Sequence, residues 1–191
     1  MDIELITRAA VVLFVIMDPF ASMPAFIVLT KKVPRRRRHV SASKATTVAG
    51  ISLIAFMFAG PPFLELIGVT MQSFMVAGGL MLLLISILMV LGMNYGQAKE
   101  SKIDVAAVLI AVPLITGPGA LTAAIILASI YGVWNTVMAV VLASSAMWLV
   151  LHYSEGVYNK IGHSGIEVSS RISGLVLAAI AIEFVRAAVG M

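Results

Sequence analysis

Six apolar runs, roughly 5–30, 43–67, 73–93, 104–130, 133–153 and 168–190, alternate along the chain with short polar separators. A helix crossing a hydrocarbon core of ~30 Å needs about 20 residues, so each run is long enough to span. The separators are KKVPRRRRH, the turn around Gly68-Val69-Thr70, NYGQAKESK, the pair Tyr131-Gly132, and EGVYNKIGHSG. Pro61-Pro62, near the outer end of the second run, is expected to shorten or kink that helix.

Composition moves this pattern from buried core helices to membrane spans. Of 191 residues 61% are hydrophobic and 12% charged, and the mean hydropathy is +1.06. That leaves too little polar surface for a soluble domain, so the pattern predicts one all-α membrane domain. The amino terminus does not read as a cleaved signal: Asp2 and Glu4 precede the apolar run, the run is too long, and no clean small-x-small site follows. It reads as the first helix.

Charge then orients the spans. With both termini outside, the inner loops carry Lys31, Lys32, Arg35 to Arg38, Lys44, Lys99, Lys102, Lys160 and Arg171. That is eleven basic residues against two outside, Arg8 and Arg186, and the positive-inside rule favours this arrangement in a cell membrane. The RRRR run is a juxtamembrane cluster that touches anionic lipid head groups. Nucleic acid is not an expected partner, because no aromatic residues interleave with the run and no folded basic face carries it.

The halves repeat one another. Pro19 and Pro24 match Pro113 and Pro118 at an offset of 94, and Gly79-Leu80 matches Gly174-Leu175 at an offset of 95. With three helices per half, the second copy enters from the opposite side. The expected architecture is therefore an inverted repeat, residues 1–96 and 97–191, the usual build of secondary transporters.

Both first helices of these repeats are expected to break at mid-membrane. Proline lacks an amide hydrogen and clashes with the carbonyl one turn earlier. Irregular backbone in hydrocarbon survives only where it is buried in protein or lines a cavity. The first break is expected to free carbonyls around Val15 to Phe20, the second those around Leu109 to Leu114. Gly117 and Gly119 are expected to let the chain turn at positive φ, and the second half-helices to begin near Pro24 and Pro118. Such helix starts carry partial positive charge and free amide hydrogens, and so suit a small ligand with an anionic end.

Asp18 stands inside the first span, where an acid costs about 2.5–3.5 kcal/mol on insertion scales. It can contact a substrate ammonium or a cation, carry a proton, or cap the second half-helix, and the sequence leaves these three open. Val112 occupies the matching position of the second break, so the repeat is electrically unequal. Ser22, Thr116 and Thr122 can bond a substrate or satisfy the kinked backbone. Gly78, Gly79 and Gly174 suit close helix contact, and Glu183 with Arg186 suits a structural ion pair. The methionines and the apolar aromatics read as packing or lipid contact.

In DPFASMPAF, VAGGLMLLLISILMVLG, VPLITGPGALT and GIEVSSRISGLVL, in this order, the sequence resembles the MarC family of membrane proteins, which includes the SnatA-type neutral amino-acid transporters. The resemblance implies six transmembrane helices in an inverted three-plus-three arrangement and movement of small neutral amino acids such as glycine or alanine. By position it maps the substrate site onto Asp18, Pro19, Phe20, Ala21, Ser22 and Pro24 in the first break. In the second it maps onto Pro113, Thr116, Gly117, Pro118, Gly119 and Thr122. Ala21 departs from the glycine that the family often has there. Glu167 and Arg171 match the family's GIE-x-x-SR element as a structural pair.

The expected function is alternating-access transport of a small neutral amino acid. The alternatives are a channel or facilitator for small polar solutes, or a drug or metabolite exporter. An enzyme is not expected: there is no HExxH, no second buried acid beside Asp18, no serine–histidine pairing at matching depth, and no phosphate loop in GVTMQS. With no cysteine, and with His39, His152 and His163 lacking ligand spacing, neither thiol chemistry nor a metal site is expected. No cofactor is expected. The coupling ion, proton or sodium, is undetermined, and a homo-oligomer is left open.

Overall fold

The computed structural model describes residues 2–30, 34–92 and 116–190. Their elements are α1 (Ile3–Met17), α2 (Pro19–Leu29), α3 (Arg35–Leu66), α4 (Met71–Val90), α5 (Pro118–Tyr131), α6 (Val133–His152) and α7 (Ser154–Val189). Among the described residues there is no strand. Pro113, Lys31, Lys32, Lys99, Lys102, the separator NYGQAKESK and the first part of the 104–130 run lie outside them.

Among the described residues four stretches are long and apolar enough to cross a membrane: Arg38–Leu66, Met71–Val90, Val133–His152 and Ser164–Val189. The shorter helix Gly119–Tyr131 is also apolar. Only 22–28% of each long span is buried inside the protein. The remaining surface is lined by large apolar side chains such as Phe56, Phe58, Leu84, Leu142 and Leu175. Water would exclude such a surface and lipid accepts it.

Local chemistry sets the element ends. Asp2 caps α1 by accepting the Glu4 N–H at 2.9 Å, and Thr70 caps α4 by accepting the Ser73 N–H at 3.2 Å. Gly132, at φ 87°, makes the tight turn between α5 and α6. Two features differ from the sequence pattern. Pro61 and Pro62, expected to shorten or kink α3, do not shorten it, since the helix continues to Leu66: each removes one helical hydrogen bond, and the chain's own carbonyl ladder on either side carries the helix through. EGVYNKIGHSG is helical rather than a loop, interrupted only at Gly162, where φ is 73° and ψ is 172°.

The core is made of small residues that let helices approach. Ala9, Ala49, Ala123, Ala139 and Ala143 are almost fully buried, with Leu13, Leu53, Leu82, Met147 and Leu177 filling between them. The most extensive crossing joins α4 to α7 and uses the predicted glycines. A Cβ at Gly79 would lie 2.7 Å from Val185 Cγ2 and 2.8 Å from the Ala181 carbonyl. A Cβ at Gly174 would lie 3.1 Å from Val90 Cγ2 and 3.1 Å from the Ser86 carbonyl. Gly79, Ser86 and Val90 each become Gly174, Ala181 and Val185 on adding the same 95 positions. The crossing is thus reciprocal, as in contacts related by a two-fold axis.

Contacts across the halves define two ends of the bundle. At one, Arg38 at the start of α3 pairs with Glu155 at the start of α7. Further along α7, Arg171 bonds Glu167 at 2.7 Å beside Gly92 at the end of α4, where an added Cβ would lie 2.8 Å from the guanidinium. At the opposite end the Asp2 N–H reaches Asn135 Oδ1 at 3.3 Å, and Glu183 pairs with Arg186 at 3.3 Å, both exposed. The first end, which also carries Lys160, is the basic end.

Candidate functional site

The first break is a single residue wide. Asp18 precedes a proline, and the proline ring disfavours the right-handed helical region for the residue before it. Asp18 accordingly adopts φ 38° and ψ 79°, the only non-glycine residue with positive φ among those described. The helix ends at Met17 and restarts at Pro19, where a missing amide hydrogen costs nothing. The second half-helix therefore does not begin near Pro24, which lies inside α2. One carbonyl without a helical donor at Phe20 is a smaller loss than a second interruption.

Three of the carbonyls expected to be free at the first break are satisfied within the chain, and those around Leu109 to Leu114 lie outside the described residues. Val15 O accepts the Asp18 N–H at 3.2 Å and Asp18 O accepts the Ser22 N–H at 3.1 Å. Met17 O accepts the Ser22 hydroxyl at 3.4 Å, so Ser22 serves the backbone here. Asp18 itself caps α2: its Oδ1 accepts the Ala21 N–H at 3.2 Å. Its other oxygen leaves the local segment, since Oδ2 accepts the Ser170 hydroxyl of α7 at 3.2 Å. The carboxylate thus ties the broken helix to the last one, and it is 8% exposed.

Ser170 was not singled out from the sequence, although it stands inside the quoted GIEVSSRISG. The available signal was a pair of hydroxyls, Ser169-Ser170, in a span whose neighbours are apolar. Ser170 lies about 9 Å along the 26-residue span Ser164–Val189. Asp18 therefore sits nearer the basic end of that span than its middle.

Around Asp18, Pro19 and Ser22 are buried, Phe20 and Pro24 half-buried, and Ala21 exposed. Of the expected second break only the part from Thr116 onward lies among the described residues, and that part differs from the first. Thr116 is buried, Gly117 half-buried, and α5 starts at Pro118. Gly117 has φ −39° and ψ 164°, an extended conformation before proline, and Gly119 lies within the helix. Neither is at positive φ, which corrects the expected turn. Gly119 provides space instead, since a Cβ there would approach Leu82 Cδ2 to 2.6 Å. One turn on, Thr122 presses its methyl against Gly78 of α4, where no side chain would fit. Among the described residues no cluster of His, Cys, Asp or Glu could hold a metal ion.

The Asp18 carboxylate is thus held between a broken helix and a neighbouring apolar helix. The sequence model of MarC family integral membrane proteins matches residues 3–191. The chain belongs to the MarC family. It is 32% identical over 196 residues to the UPF0056 membrane protein of Methanocaldococcus jannaschii, covering 97% of this chain and 96% of that protein. It is 35% identical over 184 residues to the UPF0056 membrane protein of Archaeoglobus fulgidus, covering 91% and 86%. A homologue in Aquifex aeolicus is 32% identical, covering 95% of this chain and 90% of that protein. No solved structure matches the chain. These matches, over most of both chains, make this MarC protein an integral membrane protein.

Proposed function

We propose that this MarC protein is a secondary transporter that moves small neutral amino acids, such as glycine or alanine, by alternating access in the cell membrane. The observation that carries the reading is Asp18. It is a nearly buried acid at a helix break, and it is shared between the first turn of α2 and Ser170 of α7. An acid in a span is expensive and is a functional group by default. Here its two oxygens, each already accepting one hydrogen bond, from the Ala21 N–H and from the Ser170 hydroxyl, keep further lone pairs for a substrate ammonium group.

The architecture we infer is six spans in two inverted repeats, 1–96 and 97–191, with both termini outside. The reciprocal α4–α7 crossing supports it, since an axis that exchanges Gly79 with Gly174 also exchanges their partners. Gly50 and Ser144, 94 positions apart, also face one another, the hydroxyl lying 3.0 Å from where a Gly50 Cβ would stand. The basic end, with Arg38, Lys160 and Arg171, is the inner one by the positive-inside rule.

Counterflow in proteoliposomes tests the reading. Wild-type protein preloaded with unlabelled glycine should accumulate labelled glycine or alanine transiently. Asp18→Asn, which keeps an acceptor for the Ala21 N–H, should weaken apparent affinity by about tenfold or more, as expected for a lost charge-assisted contact. Flux linear in concentration would replace the carrier by a channel. Unchanged counterflow in Asp18→Asn would remove Asp18 from the site.

A further inference from the structure

At the basic end a cleft of about 410 Å³ opens between the end of α2, the start of α3 and the α6–α7 junction. Its two walls differ in chemistry. Phe26, Ile27 and Leu151 form an apolar wall at the end of the spans, while Arg38, His39 and Lys160 bring cationic or imidazole groups to the other. The first turn of α7 lines the floor at Ser154, Glu155 and Gly156, and no side chain caps it, so its amide hydrogens face the cleft end of the helix. His152 adds a second polar group. Its Nδ1 is buried without a hydrogen-bond partner among the described residues, and its ring stacks on His39 with centroids 4.0 Å apart.

These features share one demand. Arg38 is engaged by Glu155, which leaves Lys160, His39 and the α7 amides to meet a ligand. All of them except the one carboxylate favour an anion with several acceptor oxygens, and the apolar wall favours one that carries hydrocarbon. The cleft also stands where spans give way to head groups. We propose that it binds the phosphate ester of an anionic phospholipid, with the acyl chains against Phe26 and Ile27. The site is separate from Asp18 and does not depend on what the helix break carries.

Thermal unfolding of the purified full chain in mixed micelles tests this. Phosphatidylglycerol should raise Tm by roughly 4 °C over phosphatidylcholine at concentrations well above its Kd. Lys160→Gln and His39→Gln should each remove about half of that rise or more, while Lys160→Arg keeps it. Lys44→Gln, an exposed basic residue of α3 outside the cleft, should also leave the rise intact, which separates the cleft from general charge attraction. Equal shifts with the two lipids would overturn the proposal, as would equal losses in Lys44→Gln and Lys160→Gln. Inorganic phosphate reproducing the full rise would overturn the lipid as its source.

Discussion

The α4–α7 crossing and the two helix breaks follow opposite rules. At the crossing the halves are interchangeable: Gly79 meets Ala181 and Val185 as Gly174 meets Ser86 and Val90. At the breaks they are not. The first is closed by hydrogen bonds around a carboxylate. The second is shaped by close approach, with Gly119 under Leu82 and Thr122 against Gly78. Where two helices must pack in lipid, small residues on both sides solve the same problem twice. At the proline-marked segments the solutions diverge.

The sharpest way to break this comparison is at the crossing. Gly79→Ala and Gly174→Ala each force a methyl group against a backbone carbonyl of the other helix, which cannot swing aside. Each should destabilise by about 1–3 kcal/mol, with similar losses by thermal unfolding in detergent. The double variant should lose less than their sum, because one separation of the helices relieves both. Full additivity, or a large loss at one glycine only, would show that the crossing is not reciprocal in energy.

At the first break the expected effects are smaller. Asp18→Ala removes the α2 cap and should cost about 0.5–2 kcal/mol, and Ser170→Ala about 1 kcal/mol. A double-mutant cycle should return a coupling of roughly 1 kcal/mol, since each change removes the same inter-helix bond. No coupling would reduce Asp18 to a local cap. The smallest effect belongs to the second break. Gly117→Ala should change stability by under about 0.5 kcal/mol, because its φ of −39° is not the left-handed conformation that favours glycine. A large loss there would restore the turn that the sequence led us to expect.

Much of the fold was legible because lipid imposes one rule on the whole chain. Apolar runs at spanning length gave the ends of α4 and α6 to within a few residues, and the glycines at 79 and 174 announced their contact. The break beside Asp18 was legible too, but its centre was misread. Two prolines five apart drew attention to the interval between them, whereas the stricter constraint acts on the residue before Pro19. EGVYNKIGHSG looked like a loop because its residues are polar. Polarity marks where a helix leaves hydrocarbon, and it does not say that the helix ends. Ser170 escaped for a third reason: a serine that bonds across to another helix has the same sequence signature as one that bonds its own backbone.

The reciprocal crossing has a consequence for how this chain can change over evolutionary time. In an assembly of identical copies, one substitution alters both sides of such a contact at once, and every novelty appears in duplicate. Here the two sides have separate addresses, 79 and 174, on one continuous chain. A change can be accepted on one side while the other keeps the contact closed. An aspartate at position 18 with valine at 112 is the kind of imbalance that a covalent pair permits and an identical pair forbids.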